Sequence, residues 1–384
     1  MKTHVCLISD QLVPNVLPAL VERPDRVVLL TSPQMARQAE RLQNFLKCRG
    51  VSCERVPIEA YGFDGVLAAC ADVIARYGGD ELVLNVTGGT KIAALAAYQQ
   101  FYFAPGAGRR RIIYTDTDNG RILELGDHPD SIPLADNLLN VKEHLACCGK
   151  RVVAERSRSD DETARRRKLT QNLCALFVRH GDLLRRWNAL LIAKDDEKPP
   201  FLRSVAGLGE PGRLLFDLLV EHGAAAPAGT HEELSIPSEQ LRFYLHGGWL
   251  EEYVYQTLLD MGVPGRACSL NVDIEWDAPG AHAPTRNELD VLFTHKNRLH
   301  VISCKTAELG RGPAEPPKGR EALYELDALT TAVGGLFARS MLVSVHPLTP
   351  AAIQRAKDSR IEVVEGGAVL NLKDRLNARW RIGA

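Results

Sequence analysis

The chain has 384 residues, 45% of them hydrophobic and 25% charged, which is a globular composition on a length that calls for two or three domains rather than one core. Lys and Arg number 47 against 48 Asp and Glu, for a formal net charge of −1, so no global basic field draws nucleic acid, and any such surface has to be local. No apolar run approaches the ~20 residues that span a bilayer, and residues 1–10 lack a long apolar leader, so the chain is expected in the cytoplasm, with no membrane partner.

Taken in order, residues 1–125 alternate strand and helix. Short apolar strands are predicted at 4–8, 26–31, 53–58, 81–86 and 111–115, with helix-compatible stretches at 11–20, 33–49, 62–77 and 90–103. Continuous apolar strands separated by amphipathic helices indicate a parallel sheet covered on both faces. Asn119-Gly120 predicts a hairpin turn that closes this region.

Residues 130–150 are Leu-rich and read as a connection, and the charged stretch 154–168 reads as a solvated helix or linker. Residues 169–235 read as a small helical module. From 236 onward the pattern changes to a helix over 239–261, strands at 267–276, 288–294 and 299–306, a helix over 320–333, a strand at 341–345 and a helix at 351–357. This is α/β again, but with an antiparallel core. The expected division is therefore 1–145, 146–235 and 236–384. Nine cysteines include no Cys-x-x-Cys pair, and Cys6, Cys70 and Cys174 lie in apolar runs. They read as free, buried thiols of a reducing compartment.

Chemistry concentrates at two places. In a doubly wound sheet, ligands bind where strand ends and helix N-termini converge. Three strand ends here are polar: Ser9-Asp10-Gln11 with Pro14 and Asn15 beyond it, Thr31-Ser32, and Asn85-Val86-Thr87-Gly88-Gly89-Thr90-Lys91. Gly88 and Gly89 let backbone N–H groups approach an anion, the next helix adds its positive end, and Thr87, Thr90 and Lys91 add hydroxyls and a charge. The spacing is neither that of a Walker A loop nor Gly-x-Gly-x-x-Gly. The turn chemistry by itself indicates a phosphate or a nucleotide. The second place is Asn287-Glu288-Leu289-Asp290, returning after a short turn as Val301-Ile302-Ser303-Cys304-Lys305. Asp290 and Lys305 then sit on paired strands. An aspartate there suits Mg²⁺ or Mn²⁺, and a neighbouring lysine suits water activation. Glu288 shares a strand face with Asp290 by period-two alternation. Upstream, Glu251 lies on a helix from which a carboxylate could complete a metal site.

The first set of residues resembles the CARF domains, CRISPR-associated Rossmann-fold sensors, over roughly residues 1–145. That resemblance implies a homodimer that binds a cyclic oligoadenylate, usually cyclic tetra-adenylate when this nuclease type follows. It makes Ser9, Asp10, Gln11, Asn15, Thr31, Ser32, Thr87, Gly88, Gly89, Thr90 and Lys91 the activator-binding residues. The second set resembles the restriction-endonuclease-like PD-(D/E)xK fold. The whole chain is similar to CARF nucleases of type III CRISPR defence, activated by cyclic tetra-adenylate, which degrade DNA and in some cases RNA. The family pattern makes Asp290, Lys305 and Glu251 catalytic positions, with Ser303 at the fourth, and sets Asp290 and Glu251 toward Mg²⁺ or Mn²⁺; Glu288, on the strand face of Asp290, is the neighbouring acid that could join them. The chain departs from the pattern at one place: Ser303 stands where the family carries a second carboxylate. Three readings follow: a neighbouring acid, Glu288 or Glu251, takes over; the nuclease is weakened or changed in metal preference; or the site is inactivated. The rival function is a catalytically silent sensor or regulator. A third reading, cleavage of the activator itself, would rest on Lys91 and Thr87.

Overall fold

The computed structural model describes residues 1–105, 109–126, 129–155, 160–192, 196–277, 283–309 and 318–382. The chain divides into two compact units. The first comprises Met1–Arg151 with Thr294–Arg298 and Val333–Phe337, and the second comprises Val152–Phe293, Leu299–Ala332 and Ala338–Ala384.

The first unit alternates β1 (Lys2–Leu7), α1 (Val13–Glu22), β2 (Arg26–Thr31), α2 (Ala36–Lys47), β3 (Ser52–Pro57), α3 (Phe63–Tyr77), β4 (Glu81–Asn85), α4 (Lys91–Phe103) and β5 (Arg110–Asp116). β6 (Arg121–Leu125), β7 (Ser131–Pro133) and α5 (Val141–Cys147) complete it. Its sheet runs β3-β2-β1-β4-β5-β6-β7. The first five strands are parallel, and β6 and β7 are antiparallel. The reversal of winding beside β1 makes β1 and β4 the switch-point strands, which is where ligand crevices form. Val5, Leu7, Val28, Leu30 and Leu84 pack on one face and Cys6, Val27, Leu29 and Val83 on the other. Their continuous apolar character comes from burial on both faces. The predicted turn at Asn119-Gly120 joins β5 and β6, with Gly120 at φ 63°.

The second unit holds β8 (Arg151–Glu155), α6 (Asp160–Arg179), α7 (Gly181–Leu191), β9 (Phe201–Ser204), α8 (Gly209–Glu221), β10 (Ala226–Ala228), β11 (Thr230–Ile236), α9 (Glu239–Phe243) and α10 (Trp249–Asp260). Then come β12 (Cys268–Trp276), β13 (Thr285–His295), β14 (Arg298–Lys305), α11 (Lys318–Gly334), β15 (Arg339–Ser344), α12 (Pro350–Asp358), β16 (Glu362–Glu365) and α13 (Leu372–Trp380). One sheet runs β16-β15-β14-β13-β12-β8, and a small one runs β10-β11-β9. Two expectations are corrected here. The core strands are mixed rather than antiparallel throughout, since β15 lies parallel to β14 and β16 parallel to β15. Residues 146–235 are not a separate helical module. Leu173, Phe177 and Trp187 of α6 and α7 share one core with Trp249, Val291 and Ile302, and the segment also contributes β8 to the large sheet. Between α9 and α10 the predicted long helix widens into a π-turn at Tyr244–Gly248.

β13 and β14 meet at Lys296-Asn297, both left-handed at φ 49° and 57°. Two consecutive residues of that kind form the primed turn whose twist suits a hairpin. The hairpin thereby fixes the register that brings Asp290 beside Ser303 and Cys304.

Candidate functional sites in the two units

In the first unit the ends of β1, β4 and β5 are tied by buried amides and hydroxyls. The Asn85 amide donates to the Pro14 carbonyl and to Asn15 Oδ1, each at 3.0 Å, while its oxygen accepts from the N–H and hydroxyl of Thr87 at 3.0 and 2.6 Å. Asn15 in turn donates to the Leu7 carbonyl at 3.0 Å, and Thr115 donates its N–H to the Thr87 hydroxyl at 2.7 Å. Asn85 and Asn15 are 0% and 1% exposed. Buried polar groups of this kind fix a loop only when fully satisfied, and each partner removed exposes another. Gly88 has no alternative: a Cβ there would lie 2.1 Å from the Leu7 carbonyl oxygen. Gly89 sits at φ 75°, the left-handed region glycine adopts without cost. Thr90 then caps α4, accepting from the Ala93 N–H at 3.1 Å, and donates its hydroxyl to the Ala60 carbonyl.

This scaffold opens onto a cavity of about 380 Å³ lined by Ser9, Asp10, Ser32, Gln34, Ala60, Tyr61, Gly89 and Thr90. The volume falls in the range of small-ligand sites. A second cavity of about 170 Å³ is lined by Ser9, Gln11, Pro14, Thr87 and Tyr114–Asp118. The expected activator residues therefore separate into groups. Ser9, Asp10, Ser32, Gly89 and Thr90 line the larger cavity, and Gln11 and Thr87 the smaller. Lys91 is exposed at the first turn of α4. Asn15 and Gly88 shape the turn from behind, and the Thr31 hydroxyl is spent on the Leu29 carbonyl. Tyr61, 78% exposed on the rim, was missed by sequence reasoning. An aromatic residue just past a strand end was its only signal.

In the second unit, Asp290 of β13 accepts at one oxygen from the Ser303 hydroxyl at 3.1 Å and from the Cys304 N–H at 2.7 Å. Ser303 and Lys305 share one face of β14, and Cys304 turns to the core. A cavity of about 40 Å³ is lined by Glu288, Asp290, Ser303, Lys305 and, from α11, Glu325. Glu325 was also missed in the sequence; it stands on the helix stripe with Ala322, Leu326 and Leu329 that lines the same cavity. Glu251, in the first turn of α10, does not line that cavity. Its carboxylate accepts from the Asn271 amide at 2.5 Å. Burial first, and then the charges of Asp290 and Glu251, push the Cys304 thiol well above the usual range, against Lys305, which lowers it. Both carboxylates thus bear on the same residue of β14. The adjacent Glu252 is structural: it is fully buried, and it accepts from Arg166, Thr170 and Gln256 at 3.2–3.3 Å.

Among the described residues, no three His, Cys, Asp or Glu side chains converge on one point to hold a metal ion. Of the expected set, Asp290 and Glu288 share the small cavity, and Glu251 approaches from α10, bonded to Asn271. Two carboxylates around a space that admits an ion and water still fit Mg²⁺ or Mn²⁺, because Mg²⁺ commonly takes one or two carboxylates and keeps its waters. Part of the predicted phosphate-tracking loop, 310–317, lies outside the described residues.

A nucleotide-sized crevice at a Rossmann switch point, joined in one chain to an acid-and-lysine hairpin, defines a ligand-sensing nuclease. Residues 3–144 match the Card1 CARF domain family, and residues 238–382 match the Card1-like endonuclease domain family. The chain is 30% identical to Can2 from Sulfobacillus thermosulfidooxidans, a structure in complex with cyclic tetra-adenylate, with a TM-score of 0.79 over 100% of this chain and 97% of that one. It shares its fold with protein VC1899 from Vibrio cholerae, at 24% identity and a TM-score of 0.85, over 100% of this chain and 99% of that one. A type III CRISPR defence DNA nuclease activated by cyclic oligoadenylate aligns at 22% identity and a TM-score of 0.51, over 89% of this chain and 45% of that one. No curated protein sequence matches. The chain belongs to the Card1-like CARF nucleases, and its C-terminal domain is an endonuclease domain. No helix among the described residues is long and apolar enough to cross a membrane.

Proposed function

We propose that this chain is a cytoplasmic, homodimeric endonuclease of type III CRISPR defence, switched on by cyclic tetra-adenylate, that hydrolyses phosphodiesters in DNA. The observation that carries the activator is the cavity at the ends of β1 and β2 beside the Gly89-Thr90 turn. It occurs in a chain that aligns end to end with a relative holding cyclic tetra-adenylate. Backbone N–H groups and the start of α4 suit phosphates. Tyr61 offers a face on which a base stacks. The homodimer is supported by α4. Ala93, Ala96, Ala97 and Phe101 bury one side of it, while Ile92, Leu95 and Tyr102 make a second apolar stripe, with Leu95 65% exposed. A second copy of this chain would cover that stripe.

In the nuclease, Asp290, with Glu288 and the α10 carboxylate of Glu251, would hold Mg²⁺ or Mn²⁺, which supplies charge neutralisation at the scissile phosphate. Lys305 places a positive charge beside Asp290 and holds or moves a proton at the attacking water. The Cys304 N–H and Ser303 hydroxyl fix the rotamer of Asp290. Ser303 acts there as a donor to Asp290, so the missing carboxylate must come from elsewhere or be dispensable. The rival reading, a sensor without cleavage, draws on this one substitution. Calorimetry with cyclic tri-, tetra- and hexa-adenylate, followed by cleavage assays on single- and double-stranded DNA and RNA, separates the two. Tetra-adenylate binding with ligand-dependent cleavage supports the nuclease, and binding without cleavage of any substrate supports the silent sensor.

A further inference from the structure

Asn271 is the one residue of β12 with a positive φ, 49°, and it is 3% exposed. Left-handed backbone inside a strand is unfavourable for a residue with a side chain, although asparagine tolerates it better than most. It interrupts the ladder at a telling place. Leu270 pairs with Val291 and Val272 with Leu289, so the register sets Asn271 across from Asp290. The twisted backbone turns the amide to Glu251, which it meets at 2.5 Å. A buried amide donating to a carboxylate at that distance is a strong, orienting contact. Backbone strain that the surrounding structure maintains gathers at functional sites. Here the strained residue joins the strand position opposite Asp290 to the helix that carries Glu251.

We infer that Asn271 is a positioning residue of the nuclease site: its left-handed backbone exists to aim the side-chain amide at Glu251 and to hold that carboxylate toward the Asp290 end of β13. The inference rests on the nuclease reading given above and adds to it the means by which the acid of α10 is oriented. Glycine separates the two roles of this asparagine. It adopts φ 49° more readily than asparagine does, so Asn271→Gly keeps the backbone and removes only the amide.

The test is Mn²⁺ binding to the full chain without nucleic acid, read by calorimetry or by the spin-resonance signal of free Mn²⁺, together with the thermal midpoint. Asn271→Gly is expected to hold its midpoint and to bind Mn²⁺ about 10-fold more weakly or worse, the usual effect of removing a group that orients a ligand. Combined with Glu251→Gln, it should add no further loss, because the amide acts through that carboxylate. Should the glycine variant lose stability, Asn271→Asp serves instead, since aspartate tolerates the left-handed region as asparagine does but has no donor for Glu251 and repels it, and the same loss of affinity is expected. Wild-type protein that binds Mn²⁺ while the variants bind it equally well would overturn the positioning role. Equal, additive losses in the double variant would overturn its action through Glu251. Wild-type protein that binds no Mn²⁺ would instead overturn the metal-site reading on which the inference stands.

Discussion

The two sites are built on opposite principles. The sensor crevice is shaped by backbone and by buried, neutral amides and hydroxyls, with Asn85, Asn15, Thr87 and Thr115 bonded to one another and to the Leu7 and Pro14 carbonyls. The candidate nuclease site is shaped by charge: Asp290, Glu288, Glu325 and Lys305 line one cavity, and Glu251 stands on α10 bonded to Asn271. A neutral, interlocked scaffold tolerates no change of shape but survives the loss of a charge at its rim. A charged site is expected to tolerate a change of shape better than the loss of its central acid. Perturbation should therefore act on folding in the first unit and on rate in the second.

The largest effect is expected at Asp290. Asp290→Asn keeps an acceptor for Ser303 and the Cys304 N–H while removing the charge, so the fold should hold and cleavage should fall on the order of 10³-fold. Lys305→Ala should cost about 10²-fold, the scale of a lost proton-transfer group. Single-turnover cleavage rates at matched thermal midpoints check both. Gly88→Val comes next and is of the other kind. Its Cβ has nowhere to go but into the Leu7 carbonyl, so the variant should lose thermal stability by several degrees and bind activator poorly because the turn is displaced. An unchanged midpoint would show that the turn is softer than its hydrogen bonds imply.

Ser303→Glu sharpens the comparison from the nuclease side. Should Glu288, Glu251 or Glu325 already supply the second acid, an added carboxylate crowds the cavity of about 40 Å³ and leaves the rate flat or lower. We expect this outcome, because Asp290, Lys305 and Glu251 are all retained. A sharp rise in rate would mark Ser303 as an inactivating change. On the sensor side, Lys91→Ala removes an exposed cation at the head of α4 and should weaken activator binding by about 1 kcal/mol without altering stability. Calorimetry reads the affinity, and an unchanged value would take Lys91 out of the ligand site.

The smallest effect concerns pH. Burial opposes ionisation of Glu22, but the neighbouring His4 and Arg111, the latter donating at 2.9 Å, hold its carboxyl at about 2, down from 4.5. A depressed carboxylate stabilises the fold above its unfolded pKa, and that contribution disappears as pH falls toward the folded value. Thermal midpoints should therefore drop between pH 4.5 and about 2, and less steeply in Glu22→Gln.

Much of this was legible in the sequence for physical reasons. Parallel strands buried on both faces read as apolar runs, so β1, β2, β4 and β5 were placed within a residue or two. The Gly88-Gly89 turn was legible because only glycine fits there. Other features were hidden. β8 joins the large sheet through a partner distant in the chain, and its five residues carry no local signal for that pairing. β9, β10 and β11 are short, and two of them have only three or four residues, too few to stand out between helices. Asn15 enters the expected activator site through the CARF resemblance. It also holds Leu7 and Asn85, through contacts the sequence does not display. The left-handed backbone of Asn271 was equally invisible, since nothing around it in Ser269-Leu270-Asn271-Val272 suggests a turn.

The central claim is that a ligand in the first unit governs the chemistry of the second. Its most direct test is cleavage of plasmid and single-stranded DNA by the wild-type protein in Mn²⁺, with and without cyclic tetra-adenylate. Cleavage that appears only with the ligand, and vanishes in Asp290→Asn while calorimetry still shows ligand binding, is the result this account predicts. Cleavage independent of the ligand, or none in its presence, would contradict it.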